Sequence, residues 1–402
     1  MTHRIESVGG GRTPLWRRIA EAWAANIAVG TLALVFPDGS ERVYATGKPG
    51  PSATIRVHRG RAVWRMMLGG KLGFAEAYMD DDWSSPDLTE VIALGLANQQ
   101  GLAAALRVSW LVRGIAAAQH WSRANTRAGS RRNIAEHYDL GNRFFEQWLD
   151  ETMTYSSAVF AAPGMPLAEA QREKYRRIIA SLQLRPGDRV LEIGCGWGGF
   201  AEMAAAEFGA SVTGITLSRE QAQFARNRMT VGGLNGRVDI RVEDYRDVAG
   251  SFDRIVSIEM FEAVGERNWP IFFDTVRDRM TDDGRAVIQV ITIAEERFDA
   301  YRRSVDFIQR YIFPGGMLPS PSALASSIRS SGLSLVQTSF FGESYAETLR
   351  QWNERFQGRW DRIAPLGFDD RFHRMWTYYL NYCEAGFRLG MTDVGQFVIA
   401  KP

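Results

Sequence analysis

The residues able to do chemistry concentrate in a few short stretches. Leu191-Glu192-Ile193-Gly194-Cys195-Gly196-Trp197-Gly198-Gly199 sits where an apolar strand pattern gives way to a helical one. Glycines suit that junction because the turn is tight and a ligand must come close to the backbone. Gly194, Gly196 and Gly199 also satisfy the dinucleotide pattern GxGxxG, so the motif alone is ambiguous. A dehydrogenase wants an acid about 20 residues further on to hold ribose hydroxyls. This chain offers Gly214-Ile215-Thr216-Leu217-Ser218 there, and it carries Glu192 just before the first glycine, where a carboxylate can meet the positive amino or sulfonium end of S-adenosylmethionine. A methyl-donor site is therefore expected. A second acid, Glu262, lies in the apolar run SIEMFEAV, where an ionisable group is unusual unless it is paired or functional. Glu259, three residues earlier, is expected at the surface or in an ion pair.

The elements that must position these residues follow from periodicity. From Gly187 onward, strand patterns (DRVLEIG, ASVTGITL, VDIRVED, FDRIVSIEM, GRAVIQVITI) alternate with helical ones (FAEMAAAEFG, SREQAQFARNRM). That alternation predicts a parallel, doubly wound, Rossmann-like α/β sheet. Two last strands, GLSLVQTSFF and VGQFVIAKP, flank a helical insert over 344–391 rich in aromatic residues. Residues 24–75 read as short strands, with Asp38-Gly39 as a hairpin turn, and so predict a small α+β N-terminal domain. Val91 to Ile134 contains no acid, and Arg107, Arg113, Arg123, Arg127, Arg131 and Arg132 fall among Trp110, Trp121 and aliphatic residues. Such a basic helical connector suits an anionic lipid surface. The expected organisation is a lipid- or membrane-associating domain over 1–98, a basic amphipathic linker over 99–130, and a catalytic domain over 131–402.

Composition narrows the function classes. A chain of 402 residues, 45% apolar and 23% charged, can bury a large core and divide into two domains. Its formal charge of +2 gives no reason to expect nucleic acid as a partner. Cys195 and Cys383, the only cysteines, supply neither a disulfide framework nor a metal-ligand spacing, so no metal is expected. The start lacks a signal-peptide pattern, and the apolar stretch over 91–119 is interrupted by Asn98, Arg107 and Arg113. A cytoplasmic protein lying peripherally on the inner face of the cell membrane is expected, with a homodimer left open.

From about Arg131 to Pro402 the chain resembles the cyclopropane fatty acid synthase family, including the mycolic acid cyclopropane synthases. The stretches that carry the resemblance are HYDLGNRFFEQWLD (137–150), MTYSSAVF (153–160), VLEIGCGWGGFA (190–201), VTGITLSREQ (212–221), FDRIVSIEMFEAVG (252–265), YIFPGGMLPS (311–320) and SYAETLRQW (344–352). GTLALVFPDG and LGFAEAYMDDDW, near the N-terminus, resemble the longer members that act on phospholipid. The resemblance implies a class I methyltransferase fold with helical cap insertions, S-adenosyl-L-methionine as cofactor, and unsaturated phospholipid as substrate. It implies that Tyr155, Ser156, Glu192, Gly194, Gly196, Gly198, Thr216, Leu217 and Gln221 surround the methyl donor, with Asp244 and Tyr245 by the adenine. Glu262, the carbonyl of Ile258, and Tyr345 would line the reaction centre.

Members of that family hold a bicarbonate ion through a cysteine, a glutamate, a histidine and a tyrosine. Here the cysteine position is Ser157, the histidine position is Gln289, and Ala263 follows the motif glutamate. Serine and glutamine can still donate hydrogen bonds to an anion. Loss of the thiol and of a titratable imidazole nevertheless counts against bicarbonate, and with it against cyclopropane formation.

The implied chemistry is demanding. An isolated alkene carries no proton for a base to remove beforehand, so catalysis rests on positioning and exclusion of water. Its attack on a sulfonium methyl moves positive charge onto the acyl chain, which aromatic faces can stabilise without being alkylated. Tyr155, Phe261, Phe313, Tyr311 and Tyr345 are candidates for that role. Glu262 is expected to be the base, or the group that holds it. Trp352, Phe356, Trp360, Phe368, Phe372, Trp376, Tyr379 and Tyr382 are expected to wall an acyl tunnel while also burying a core of their own. A methyltransferase of a soluble small molecule and a non-catalytic lipid-surface protein are the alternatives.

Overall fold

The computed structural model describes residues 13–99, 101–102 and 140–402. The arginine-rich connector and His137 lie outside the described residues. The chain divides into two compact units, one running through Val112 and the other from Arg113 onward.

The first unit holds a four-stranded sheet in the order β2-β1-β3-β4, with β1 at Thr31–Val35, β2 at Glu41–Ala45, β3 at Ser52–Val57 and β4 at Trp83–Ser84. β1 and β2 form the expected hairpin: Gly39 takes the positive φ of 78° that the turn requires, and Asp38 accepts hydrogen bonds from the Ser40 amide and hydroxyl. The expectation of strands through residue 75 fails after Val57, because Arg61–Met79 is a helix kinked at Gly70. Ala62, Val63 and Met66 are buried at helical spacing rather than on alternate residues, which is the signal that separates the two readings. Buried Asp82 anchors that helix by pairing with Arg59, Arg61 and Arg65.

The second unit is a seven-stranded sheet in the order β10-β11-β9-β8-β5-β6-β7. Its strands are β5 Arg189–Ile193, β6 Ser211–Thr216, β7 Val238–Val242, β8 Phe252–Ile258, β9 Met280–Ile293, β10 Ser334–Phe340 and β11 Thr392–Ala400. β5 to β9 are mutually parallel, whereas β11 runs antiparallel to both β9 and β10. Alternate residues feed two cores: Val190, Val212, Val256 and Val287 pack on one face, and Leu191, Ile215, Ile255 and Ile288 on the other. Both faces are covered by helices, as a parallel sheet demands.

The order reverses between β5 and β8, so a crevice opens beyond their carboxyl ends, where open α/β sheets bind ligands. Glu192 lies near the end of β5, and Glu259 directly follows β8. The aromatic insert forms helices Gly342–Gly358 and Asp370–Arg388, which pack on each other and on helix Asn142–Trp148. Phe144 is the centre of that junction, fully buried and in ring contact with Phe145, Trp148, Phe356, Phe368, Phe372 and Trp376. Truncating it to alanine leaves a cavity that these large rings cannot refill. Phe144→Ala is expected to lower unfolding free energy by about 3–5 kcal/mol, read from urea denaturation.

Candidate active site

The glycine loop joins β5 to helix Gly199–Ala206. Gly194 has φ +84°, and a Cβ there would come within 2.8 Å of the Met260 side chain, so both backbone angle and space call for glycine. Gly196 and Gly198 also have positive φ, and the space beside Gly196 is open. The Trp197 indole donates to Asn142 Oδ1 at 2.7 Å, tying the loop to the LGN stretch. On β6, Thr216 donates to Gln221 Oε1 at 2.8 Å, and Ser218 caps the helix that bears Gln221. Leu217 is half-buried beside them. Asp244 is buried, with both of its oxygens taken by Arg246, and Tyr245 stands edge-on to Phe272. Together these residues place the cofactor-binding set expected from the sequence along one end of the sheet.

Glu192 provides the test of a cationic ligand. It is buried, one of its oxygens has no hydrogen-bond partner, and desolvation pushes its carboxyl up to about 8. An orphaned buried acid beside a glycine loop fits the positive end of S-adenosylmethionine. When bound, that cofactor supplies an electrophilic methyl group.

Near Glu192 lies Lys174, which the sequence analysis missed. Its ammonium donates to Ser156 Oγ and Gln171 Oε1, both at 2.7 Å, while Gln171 donates to the Ser156 carbonyl at 2.9 Å. Burial pushes Lys174 down to about 7 against the opposing pull of Glu259, Asp150 and Glu192. The signal was present: Lys174 falls on the apolar stripe of helix Leu167–Leu182, between Ala170 and Ile178. A charge at such a position is a buried ion in waiting.

The expectation for Glu259 is overturned. It is half-buried and held by three donors: Oε1 accepts from the Ser157 backbone N–H at 2.8 Å and from Gln289 Nε2 at 2.7 Å, and Oε2 accepts from the Tyr345 hydroxyl at 2.6 Å. Gln396 donates to Gln289 Oε1 at 3.1 Å, which turns the Gln289 amide nitrogen toward Glu259. Burial drives the Tyr345 phenol far above its ordinary range, so it remains a donor. Three donors around two oxygens describe an ionised carboxylate, even though burial raises its proton affinity. The Ser157 hydroxyl turns instead to the Ala158 carbonyl, so this residue contributes its backbone rather than its side chain.

Glu262 sits one turn further on. One oxygen accepts from the Ile291 N–H at 2.6 Å and the other is buried without a partner. Burial, helped by the charge on Glu259, pushes Glu262 up to about 8. Ile258 ends β8 opposite Gln289.

Aromatic rings enclose this end of the sheet. Tyr155 lies among Phe145, Trp148 and Trp352 at centroid distances of 5.3–5.5 Å, and its hydroxyl meets that of Tyr379 at 2.8 Å. Tyr345 packs on Trp352 and Phe387. Phe313 reaches Tyr379 and Tyr311 packs on Phe307, but Phe261 is fully buried among Trp269, Phe272 and Phe273, a core position. Phe356 and Trp376 are likewise core, so only part of the insert faces the site.

If Glu192 receives the cationic donor, its proton must leave. Calorimetry of S-adenosylmethionine binding in buffers of different ionisation enthalpy is expected to show net proton release at pH 7 and almost none at pH 9, where the free carboxyl is already ionised.

Known proteins resemble the chain in sequence and in fold. The family model described as mycolic acid cyclopropane synthetase matches residues 125–397. The chain is 43% identical over 391 residues to tuberculostearic acid methyltransferase of Mycobacterium tuberculosis, covering 92% of this chain and 88% of that protein. Over 358 residues it is 39% identical to cyclopropane-fatty-acyl-phospholipid synthase of Escherichia coli K12, covering 87% and 88%. A crystal structure of a mycolic acid cyclopropane synthase complexed with SAH and CTAB superposes with a TM-score of 0.64 at 31% identity, covering 67% of this chain and 98% of that one. The chain belongs to the cyclopropane synthase family, and it is an S-adenosylmethionine-dependent methyltransferase acting on lipids.

Proposed function

We propose that the enzyme transfers the methyl group of S-adenosylmethionine to the double bond of an unsaturated acyl chain in membrane phospholipid, forming a carbocation that collapses to a cyclopropane or to a mid-chain methylene or methyl-branched chain. The observation that carries this reading is a carboxyl group, Glu259, that accepts three hydrogen bonds among Tyr155, Tyr345, Trp352 and Tyr379. Aromatic faces attract a transient cation and a carboxylate accepts its proton, the two needs of methyl transfer to an alkene. The printed names of two relatives, a fatty-acyl-phospholipid synthase and a tuberculostearic acid methyltransferase, support a lipid acyl chain as the group attacked.

Each residue then has a task. Glu192 and the glycine loop orient the donor, and Gly194, Gly196 and Gly198 let the backbone approach it. Thr216, Leu217 and Gln221 line its flank, while Tyr345 and Gln289 hold Glu259. Glu262, neutral at pH 7, is the group that supports the anion. Incubation with methyl-labelled S-adenosylmethionine and unsaturated phospholipid is expected to put label into the acyl chains, read by mass spectrometry after hydrogenation to separate rings from branches. Unlabelled lipid would overturn the reading.

The unit through Val112 and the basic connector are proposed to dock on the anionic membrane surface and deliver the acyl chain. Among the described residues no helix is long and apolar enough to cross a membrane. The acid-free, tryptophan-bearing composition of Val91 to Ile134 supports surface binding. Co-sedimentation with anionic liposomes is expected, and it should weaken as salt rises from 0.05 to about 0.5 M as the Debye length shortens. Binding that ignores salt would count against it.

A further inference from the structure

The family resemblance implies a bicarbonate site at Ser157, Glu262, Gln289 and Tyr345. A bicarbonate ion does not fit them here. The Ser157 N–H, the Gln289 amide and the Tyr345 hydroxyl are all spent on Glu259, at 2.6–2.8 Å. A second anion would find its donors taken and a fixed carboxylate in its place.

The backbone reinforces this. Glu259 is one of few non-glycine residues with positive φ, at +50°. A side chain in that region is strained, and glycine would be favoured by conformation alone. Its N–H is pinned by the Gln289 carbonyl at 2.9 Å, so the turn after β8 directs the carboxylate toward Ser157, Gln289 and Tyr345. Placing a glutamate where glycine is easier keeps an anion permanently at the reaction centre.

We propose that Glu259 replaces bicarbonate as a built-in proton acceptor, making turnover independent of any exogenous anion. This rests on the acyl-chain reading above. The alkene π pair forms the new C–CH3 bond as the CH3–S bond breaks, leaving S-adenosylhomocysteine with the sulfur lone pair. The resulting carbocation loses a proton to the Glu259 carboxylate, which becomes the carboxylic acid. The electron pair of the broken C–H bond closes the ring or forms the new double bond, and the acid returns its proton to solvent before the next cycle.

The test compares the full-length enzyme with Glu259→Gly and Glu259→Gln in CO2-free buffer with and without added bicarbonate, using unsaturated phospholipid vesicles and labelled methyl donor. Wild-type turnover should be the same in both buffers. Glu259→Gln should fall at least ~100-fold and stay low with bicarbonate, because its amide fills the space without accepting a proton. Glu259→Gly, relieved of strain and left with the three donors exposed, should fall similarly and recover at least ~10-fold when bicarbonate is added. Thermal unfolding and S-adenosylmethionine affinity of each variant establish that the fold and donor site persist. Wild-type label transfer that requires bicarbonate, or either variant turning over normally without it, overturns the role of Glu259 alone. Wild-type enzyme that labels no lipid overturns the acyl-chain reading instead.

Discussion

A negative charge held in a largely apolar chamber is the constraint around which the catalytic unit is organised. Desolvating a carboxylate is costly, and it is tolerated only where hydrogen-bond donors replace the lost water. Glu259 receives those donors from a loop, a central strand and a helix of the insert, through Ser157, Gln289 and Tyr345. Each charge-assisted bond contributes roughly 1.5–3 kcal/mol. Buried Lys174 adds a compensating positive charge behind Ser156. Elements far apart in sequence are thereby fixed relative to one another by one side chain.

The sheet order explains why the two halves of the reaction meet. β5 and β8 are neighbours whose connections leave in opposite directions, so their carboxyl ends frame an open crevice. β5 carries Glu192 and β8 leads to Glu259, so the two acids stand at the same end of neighbouring parallel strands. Met260 touches the Gly194 position directly, so the donor loop and the acid loop are in van der Waals contact. A movement of one is felt by the other.

Much of this was legible in the residues. The glycine loop, the seven strands of the catalytic unit and the helical insert follow from periodicity, because buried parallel strands and amphipathic helices have distinct patterns. What was not legible depended on backbone conformation and tertiary placement. Glu259 reads as an ordinary polar residue at a strand end, and only its left-handed φ turns it inward. The residue type at Ser157 points to its hydroxyl, whereas the contact with Glu259 is made by its amide, which every residue there except proline would possess. Arg61–Met79 was mistaken for a strand because a short apolar run supports either period until its buried face is known. Phe261 and Phe356 show the converse: aromatic character suggests a cation contact, but burial among other rings makes them core.

β11 follows every other strand in the chain, yet it inserts between β9 and β10 and carries Gln396, the residue that orients Gln289. The register of one strand and the aim of one amide are thus a single variable: whatever loosens β11 against β9 also loosens the grip on Glu259.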